Sequence, residues 1–541
     1  MMKTRLIPIA ATALTLSLVL SACSFSGTAE KPDATAQSKT LHVAYNADIP
    51  NLNPLTASET TGISVLGNVM EGLYRLGEDQ KPQPAMAESY KVSDDGLTYT
   101  FKLRDGITWS NGEPVTSEDF KDAWLMNMNA KTAGTYSYIL TDYILNGAKY
   151  LAGTVDASKV GIQTPDNKTL VVELSKPTTY FVSLTAFMKY VPINKAFYDS
   201  VGTKFGSSPA TLLYNGPYTM TNYNPAGGVT LEKNKDYWDA QSVHTDTVDI
   251  KVIKEAATAL TLYEAGKLDR AELSAEDAKA NKDNPEIHSA IEYRSYYVQF
   301  NLTKPAMANL NIRKAIQAAY NPKTLTDVVM ANGSEPAYGL VPPGMSGLHG
   351  KSFRELQGDV THPDAAAAKG LWEKGSKELG GAPKLELVLD DDSLSKDIGT
   401  FLQDQLKHTL GADVSLVTKP YSARLAAGRA GEYQMLLSAW GADYDDAMTF
   451  LDLWSKPVAL LRGSFSDSEY DKLIESAKND ADPATRIDSL LSAEKLLVEK
   501  EAVVAPVYYR GFKFLQKPDV KGISFHSWGN PYDYKYVTMG K

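Results

Sequence analysis

The chain has 541 residues, with 65 acids against 55 bases, a formal net charge of −10 and one cysteine. That acidic balance, with no basic stripe studded by aromatics, excludes nucleic acid as a partner. So long a chain exceeds what one hydrophobic core fills, and its length suggests two to four domains. Its 30 tyrosines suit both packing and wet binding surfaces, and most are expected to be half-buried strand residues.

The N-terminus reads as an export signal. Met1 to Arg5 carries Lys3 and Arg5 and no acid, and Leu6 to Leu20 is an apolar run broken only by Thr and Ser. These are the n-region and h-region of a secretory signal peptide, too short to span a hydrocarbon core of about 30 Å. The tetrad Leu20-Ser21-Ala22-Cys23 resembles the lipobox, which is cut before the cysteine after a diacylglyceryl group is attached to its sulfur. An ordinary signal peptide with an incidental cysteine is the weaker alternative, because a spare thiol is a liability in an oxidising compartment. Residues 1–22 are thus expected to be removed, leaving Cys23 as a lipid anchor. Ser24 to Thr40 is rich in Ser, Thr, Ala, Gly and Pro, cannot bury enough surface to offset its ordering entropy, and reads as a flexible tether. No later run of about 18 apolar residues suggests a second membrane segment.

Mixed α/β signals follow in chain order. "TLHVAY" (Thr40 to Tyr45) predicts an opening strand. Tyr99, Phe101 and Leu103 alternate in "TYTFKL", predicting a half-buried strand, with Gly106 and Ser110-Asn111-Gly112 as turns behind it. Thr116-Ser117-Glu118-Asp119 predicts the capped start of a helix carrying Phe120, Ala123 and Trp124. "KTLVVEL" (Lys168 to Leu174) predicts another strand. Further on, Lys384 to Leu389 predicts a strand, and a helix over about 394–410 follows with Ile398, Phe401, Leu402, Leu406 and Leu410 on one stripe and Gly411 ending it. "DVSLVT" completes a β-α-β unit. The helix "YSARLAAGRAG" and the strand "YQMLLSAW" come next, so the C-terminal half predicts an α/β lobe on its own sheet. "AVVAPVYYR" (Ala502 to Arg510) is one more apolar strand.

Catalytic patterns are scarce. Seven scattered histidines (His42, His244, His288, His349, His362, His408, His526) show no metal-ligand spacing. There is no GxSxG elbow and no phosphate-binding loop. Ser393-Leu394-Ser395-Lys396 matches SxxK without its companion motifs, so chance is the better reading. The acids at Asp390-Asp391-Asp392 and Asp445-Asp446 read as a solvated face or a helix cap rather than a glycosidase pair.

Four blocks carry a resemblance that spans nearly the whole chain after the tether. "MAESYKVSDDGLTYTFKLRDGITWSNGEPVTSEDFKDAW", "YNGPYTMTNYNPAGGVTLEKNKDYW", "VQFNLTKPAMANLNIRKAIQAAYN" and "LLSAWGADYDDAMTFLDLW" resemble, in order, the signature blocks of the family 5 solute-binding proteins. These are the peptide-binding subunits of bacterial ABC importers. The resemblance implies a two-lobed, periplasmic-binding-protein-like α/β fold of type II, cluster C-like, with three domains and a ligand cleft. It implies domain I in three parts (41–70, 206–300 and 501–541), domain II at 71–205, and a second lobe, domain III, at 301–500. The two crossings are expected near Asn301 and Glu501.

The resemblance also implies a site. Its fourth block places Asp443 past the end of an apolar strand, where the matching aspartate of peptide-binding members pairs with the ligand's α-ammonium. A desolvated cation needs such a carboxylate. Trp440, Gly441, Ala442 and Tyr444 surround it, and Tyr136 resembles the aromatic cleft residue of the large lobe. Gly441 stands where some members carry cysteine, a change expected not to matter. Leu437 stands where the best-studied members carry an arginine for the carboxylate of short ligands. Longer peptides or another carboxylate partner are thereby favoured, and Arg429 is a candidate no better than a surface helix-end arginine. The implied activity is peptide capture and delivery, not catalysis, with no cofactor or metal. The implied partners are an oligopeptide, the permease subunits and the membrane through its lipid anchor, around a monomeric protein. A non-peptide solute (a metal chelate, haem or an oligosaccharide) and a pheromone receptor stay open as alternatives, and an extracellular hydrolase is remote.

Overall fold

The computed structural model describes residues 39–540 apart from 133, 135, 456–462 and 481. The expected signal peptide, Cys23 and nearly all of the tether lie outside the described residues.

The described chain opens with β1 (Thr40–Tyr45) and α1 (Thr60–Val69). Next comes an antiparallel sheet of β2 (Ala87–Val92), β3 (Thr98–Leu103), β4 (Ile162–Asp166) and β5 (Thr169–Glu173), in the order β2-β3-β5-β4. Tyr99, Phe101 and Leu103 are its buried face, as their alternation predicts. Between β3 and β4 run α2 (Ser117–Asn127) and the single turn α3 (Tyr138–Thr141). The start of α2 is set by Asp119, whose carboxylate accepts the Thr116 amide at 2.7 Å and its hydroxyl at 3.0 Å. Then β6 (Tyr218–Asn224), β7 (Gly228–Lys233) and β8 (Thr247–Val252) return to β1, which pairs parallel with β8.

The third sheet is built from strands between Arg270 and Gln516. It contains β9 (Arg270–Glu272), β10 (Ile287–Phe300), β11 (Lys384–Asp390), β12 (Asp413–Lys419), β13 (Met435–Gly441) and β14 (Val504–Gln516), in the order β9-β14-β10-β13-β11-β12. The β-α-β unit is β11, α4 (Ser393–Leu410) and β12, with β11 and β12 parallel. Asp392 caps α4 by accepting the Ser395 amide at 2.9 Å, so the SxxK match is its solvent-facing first turn. Gly411 ends α4 at φ +70°, a conformation open to glycine at little cost. α5 (Tyr421–Ala430) then leads to β13.

The sheet expected for the C-terminal half is present, and every strand of it lies between Arg270 and Gln516. Two of its strands, the long antiparallel pair β10 and β14, come from outside 301–500. β10 and β14 lend residues to two separate apolar cores: Tyr293, Tyr297 and Val504 to one, Val298, Phe300, Ala505 and Val507 to the other. The sequence hides this because β10 is broken by a bulge and lacks clean alternation. Next to the two expected crossings, the side-chain Nδ2 of Asn301 donates to the carbonyls of Gly431 and Tyr433, and Arg313 donates to the carbonyls of Glu501 and Ala502.

Candidate functional site

β13 points its C-terminal end at residues of the α3 region. Against β10 its pairing runs the full length from Met435 to Gly441. Against β11 it covers only Met435 and Leu436. The β11 ladder thus stops at Leu436, and the edge of β13 beyond it suits an added strand. The Ala442 amide donates to the Tyr293 carbonyl at 2.7 Å and carries the β10 pairing one step past Gly441.

Asp443 follows, only 6% exposed. Its amide donates to Thr449 Oγ1 at 3.3 Å, and its carboxylate accepts the Tyr138 hydroxyl at 2.5 Å, joining segments 305 residues apart. Trp440 is half-buried, and its indole donates to the same Thr449 hydroxyl at 3.4 Å. Tyr444 is buried, stacks face to face on Tyr180 at 4.8 Å, and accepts the Tyr143 hydroxyl at 3.1 Å. Tyr136 stacks on Tyr138 at 5.8 Å. Desolvation first, and the Asp443 charge second, push both of these phenols far above their usual range, so both remain protonated donors.

Asp443, Trp440, Ala442, Tyr444 and Tyr136 thus converge on one place. Arg429 does not join them. It stands exposed in the last turn of α5, where a cation meets the helix's negative end. Leu437 is 5% exposed inside the second core. Gly441 lies beside a charged side chain. A β-carbon there would lie 3.3 Å from Nη2 and 3.4 Å from Nε of Arg294, so the missing side chain makes room for a guanidinium.

Sequence reasoning missed three residues here. Tyr138, two positions from Tyr136, makes the bond to Asp443. Arg294 depends on strand register, which no local pattern reveals. Lys189 is a lysine within the apolar "AFMKYVPI", and that oddity was its only signal. It is 1% exposed and donates to the carbonyls of Pro54, Leu55 and Ala57 at 2.8, 3.2 and 2.7 Å. Burial lowers its pKa to about 7. Its ammonium ties down the turn that leads to Glu59, one of the charges acting on Tyr136.

Close to the Tyr180–Tyr444 stack opens a cavity of about 370 Å³, whose lining includes Asp142, Lys176, Met448, Asp452 and Lys478. The acid pair is structural: Asp446 holds Arg486 through two bonds of 2.8 and 2.9 Å, and Asp445 accepts the Ser346 hydroxyl at 2.6 Å. Among the described residues no cluster of His, Cys, Asp or Glu is placed to hold a metal, and no helix is long and apolar enough to cross a membrane.

Two lobes sharing long strands, with a buried carboxylate between the end of β13 and a tyrosine cluster, define a solute-binding protein. The sequence model of the bacterial extracellular solute-binding proteins, family 5 Middle, matches residues 81–459, and the chain belongs to that family. It is 34% identical over 524 residues to the dipeptide-binding protein DppE of Bacillus subtilis (strain 168), covering 96% of each chain. It is 31% identical over 534 residues to the oligopeptide-binding protein OppA of the same organism, covering 96% of this chain and 97% of that one. Among solved structures, Listeria monocytogenes OppA bound to peptide superposes with a TM-score of 0.81 at 35% identity, covering 94% of this chain and 100% of that one. The two-lobed type II α/β fold implied by the four blocks is thereby established.

Proposed function

We propose that this protein is the extracytoplasmic substrate-binding lipoprotein of an ABC importer, which captures oligopeptides between its lobes and hands them to the membrane permease. The observation that carries the reading is Asp443: a buried carboxylate just past the end of β13, where the β11 pairing has already stopped, accepting the Tyr138 hydroxyl. An extended peptide adds to such an edge by main-chain hydrogen bonds that ignore side-chain identity. Its α-ammonium replaces lost hydration with the Asp443 carboxylate. The names of the relatives, for dipeptides and oligopeptides, support the same ligand class.

In this reading, domains I (41–70, 206–300, 501–541) and II (71–205) face domain III (301–500) across the cleft. β10 and β14 carry the connection. Ligand contacts with both lobes bias the closed state, which is the form the permease recognises. Lipidated Cys23 and the tether over 23–40 keep the monomer at the outer face of the cell membrane after residues 1–22 are removed. No chemical step occurs, and no catalytic group or cofactor is required.

The test is the ligand carried through purification, released by denaturation and identified by mass spectrometry. A ladder of peptides is the expected result, and a sugar, bile acid or metal chelate would overturn the peptide reading.

A further inference from the structure

The floor of the site holds a second charge that its peptide reading does not use. Arg294 lies on β10 opposite Gly441. The β10–β14 register breaks between the pairs Ile291–Gly511 and Ser295–Tyr509, so Glu292, Tyr293 and Arg294 together face Arg510. Such bulges re-aim side chains beside functional sites. Glu292 sits between two guanidiniums: it accepts Arg294 Nε at 2.9 Å and lies 3.2 Å from Arg510 Nη1. A second carboxylate, Glu272, interacts with Arg510, and desolvation holds its pKa above the usual range. Two guanidiniums, Arg294 and Arg510, thus flank the one carboxylate of Glu292.

Arg294 spends only Nε on Glu292. Its side chain is 31% exposed, and Nη1 and Nη2 have no hydrogen-bond partner among the described residues. Nη2 hangs over Gly441, where any side chain would crowd it. Its charge also reaches the Tyr136 phenol, which in turn feels Asp443. A free guanidinium fork is matched to a carboxylate in geometry and charge.

We infer that Arg294, backed by Arg510, binds a carboxylate of the peptide ligand, two residues along β13 from the ammonium site at Asp443. The inference rests on the peptide reading above. Leu437 brings no cation to this strand, being buried among apolar side chains. Two strand residues span about 7 Å, and so do two extended ligand residues. A dipeptide therefore reaches from Asp443 to Arg294 with its two termini. A longer peptide presents an acidic side chain there instead.

The experiment is calorimetric titration of the wild type, Arg294→Gln and Arg294→Lys with four probes. These are dialanine, dialanine amide, and the pentapeptides Ala-Glu-Ala-Ala-Ala and Ala-Gln-Ala-Ala-Ala. Wild type is expected to prefer the carboxylate-bearing member of at least one pair by about ten- to hundredfold. Arg294→Gln abolishes that preference and Arg294→Lys keeps part of it. A preference confined to the dialanine pair assigns the α-carboxylate, and one confined to the pentapeptides assigns a side chain. Peptides that bind wild type with no preference in either pair, or a preference untouched by Arg294→Gln, overturn the inference while leaving the peptide reading intact. If no peptide binds wild type, the peptide reading itself has failed. Should Arg294→Gln not fold, the wild-type comparison of acid with amide and Glu with Gln decides alone.

Discussion

Replacing Asp443 by Asn keeps the size and shape of the side chain and still offers an oxygen to Tyr138, so the fold should tolerate the change. It removes the charge that faces the ligand's ammonium. Asp443 is 6% exposed, which places the ion pair in the desolvated regime, where losing one partner costs on the order of 3–5 kcal/mol. That corresponds to roughly 10² to 10³·⁵ in affinity. An aspartate that merely decorated the surface would cost less than about 1 kcal/mol. Calorimetric titration of both proteins with one unblocked oligopeptide separates the two outcomes. A loss of less than about fivefold in a variant that melts like the wild type would refute the assignment of Asp443 to the ammonium.

Three further outcomes follow from particular contacts. Arg75 is buried between Glu71 and Asp533, with both contacts at 2.5 Å. Arg75→Met strands two buried carboxylates and should lower unfolding stability by about 3–5 kcal/mol in urea titration, whereas a loss under about 1 kcal/mol would contradict the account. His526 is buried, donates Nδ1 to the Asn530 carbonyl at 2.8 Å, and is held below the ordinary histidine range by desolvation. The unfolded chain thus takes up a proton near pH 6.5 that the native state refuses. Stability is full above that pH and falls as pH drops below it, and His526→Gln should flatten the melting temperature between pH 7.5 and 5 relative to wild type; identical slopes would remove His526 as a cause. Cys23→Ser should move the protein from the membrane fraction to the medium or leave an uncut precursor, and a fully processed chain that stays with the membrane would contradict lipidation.

Local signals carried much of this fold. The apolar stripe ending at Gly411, the Thr116–Asp119 cap and the alternation of Tyr99, Phe101 and Leu103 each report a short-range preference, and each element stands where those residues put it. The pairing of β10 with β14 was illegible because the two strands are joined by register across more than 200 residues, and a bulge interrupts the period. The site divides along the same line. Asp443, Trp440 and Tyr444 sit inside one contiguous block, so the block led to them. Arg294, Tyr138 and Lys189 come from three other segments, and only tertiary packing places them beside it. Gly441 shows the limit most clearly: only the register of β10 against β13 brings the Arg294 guanidinium beside it.

The most direct test of the account is a comparison of one oligopeptide with its N-acetylated form, titrated into the wild-type protein. Acetylation removes the cation and leaves the strand-forming backbone and side chains in place. The account predicts that the free peptide binds at least about a hundredfold more tightly. Equal, tight binding of the two would contradict it, because the buried carboxylate of Asp443 would then be facing something other than a peptide's amino terminus.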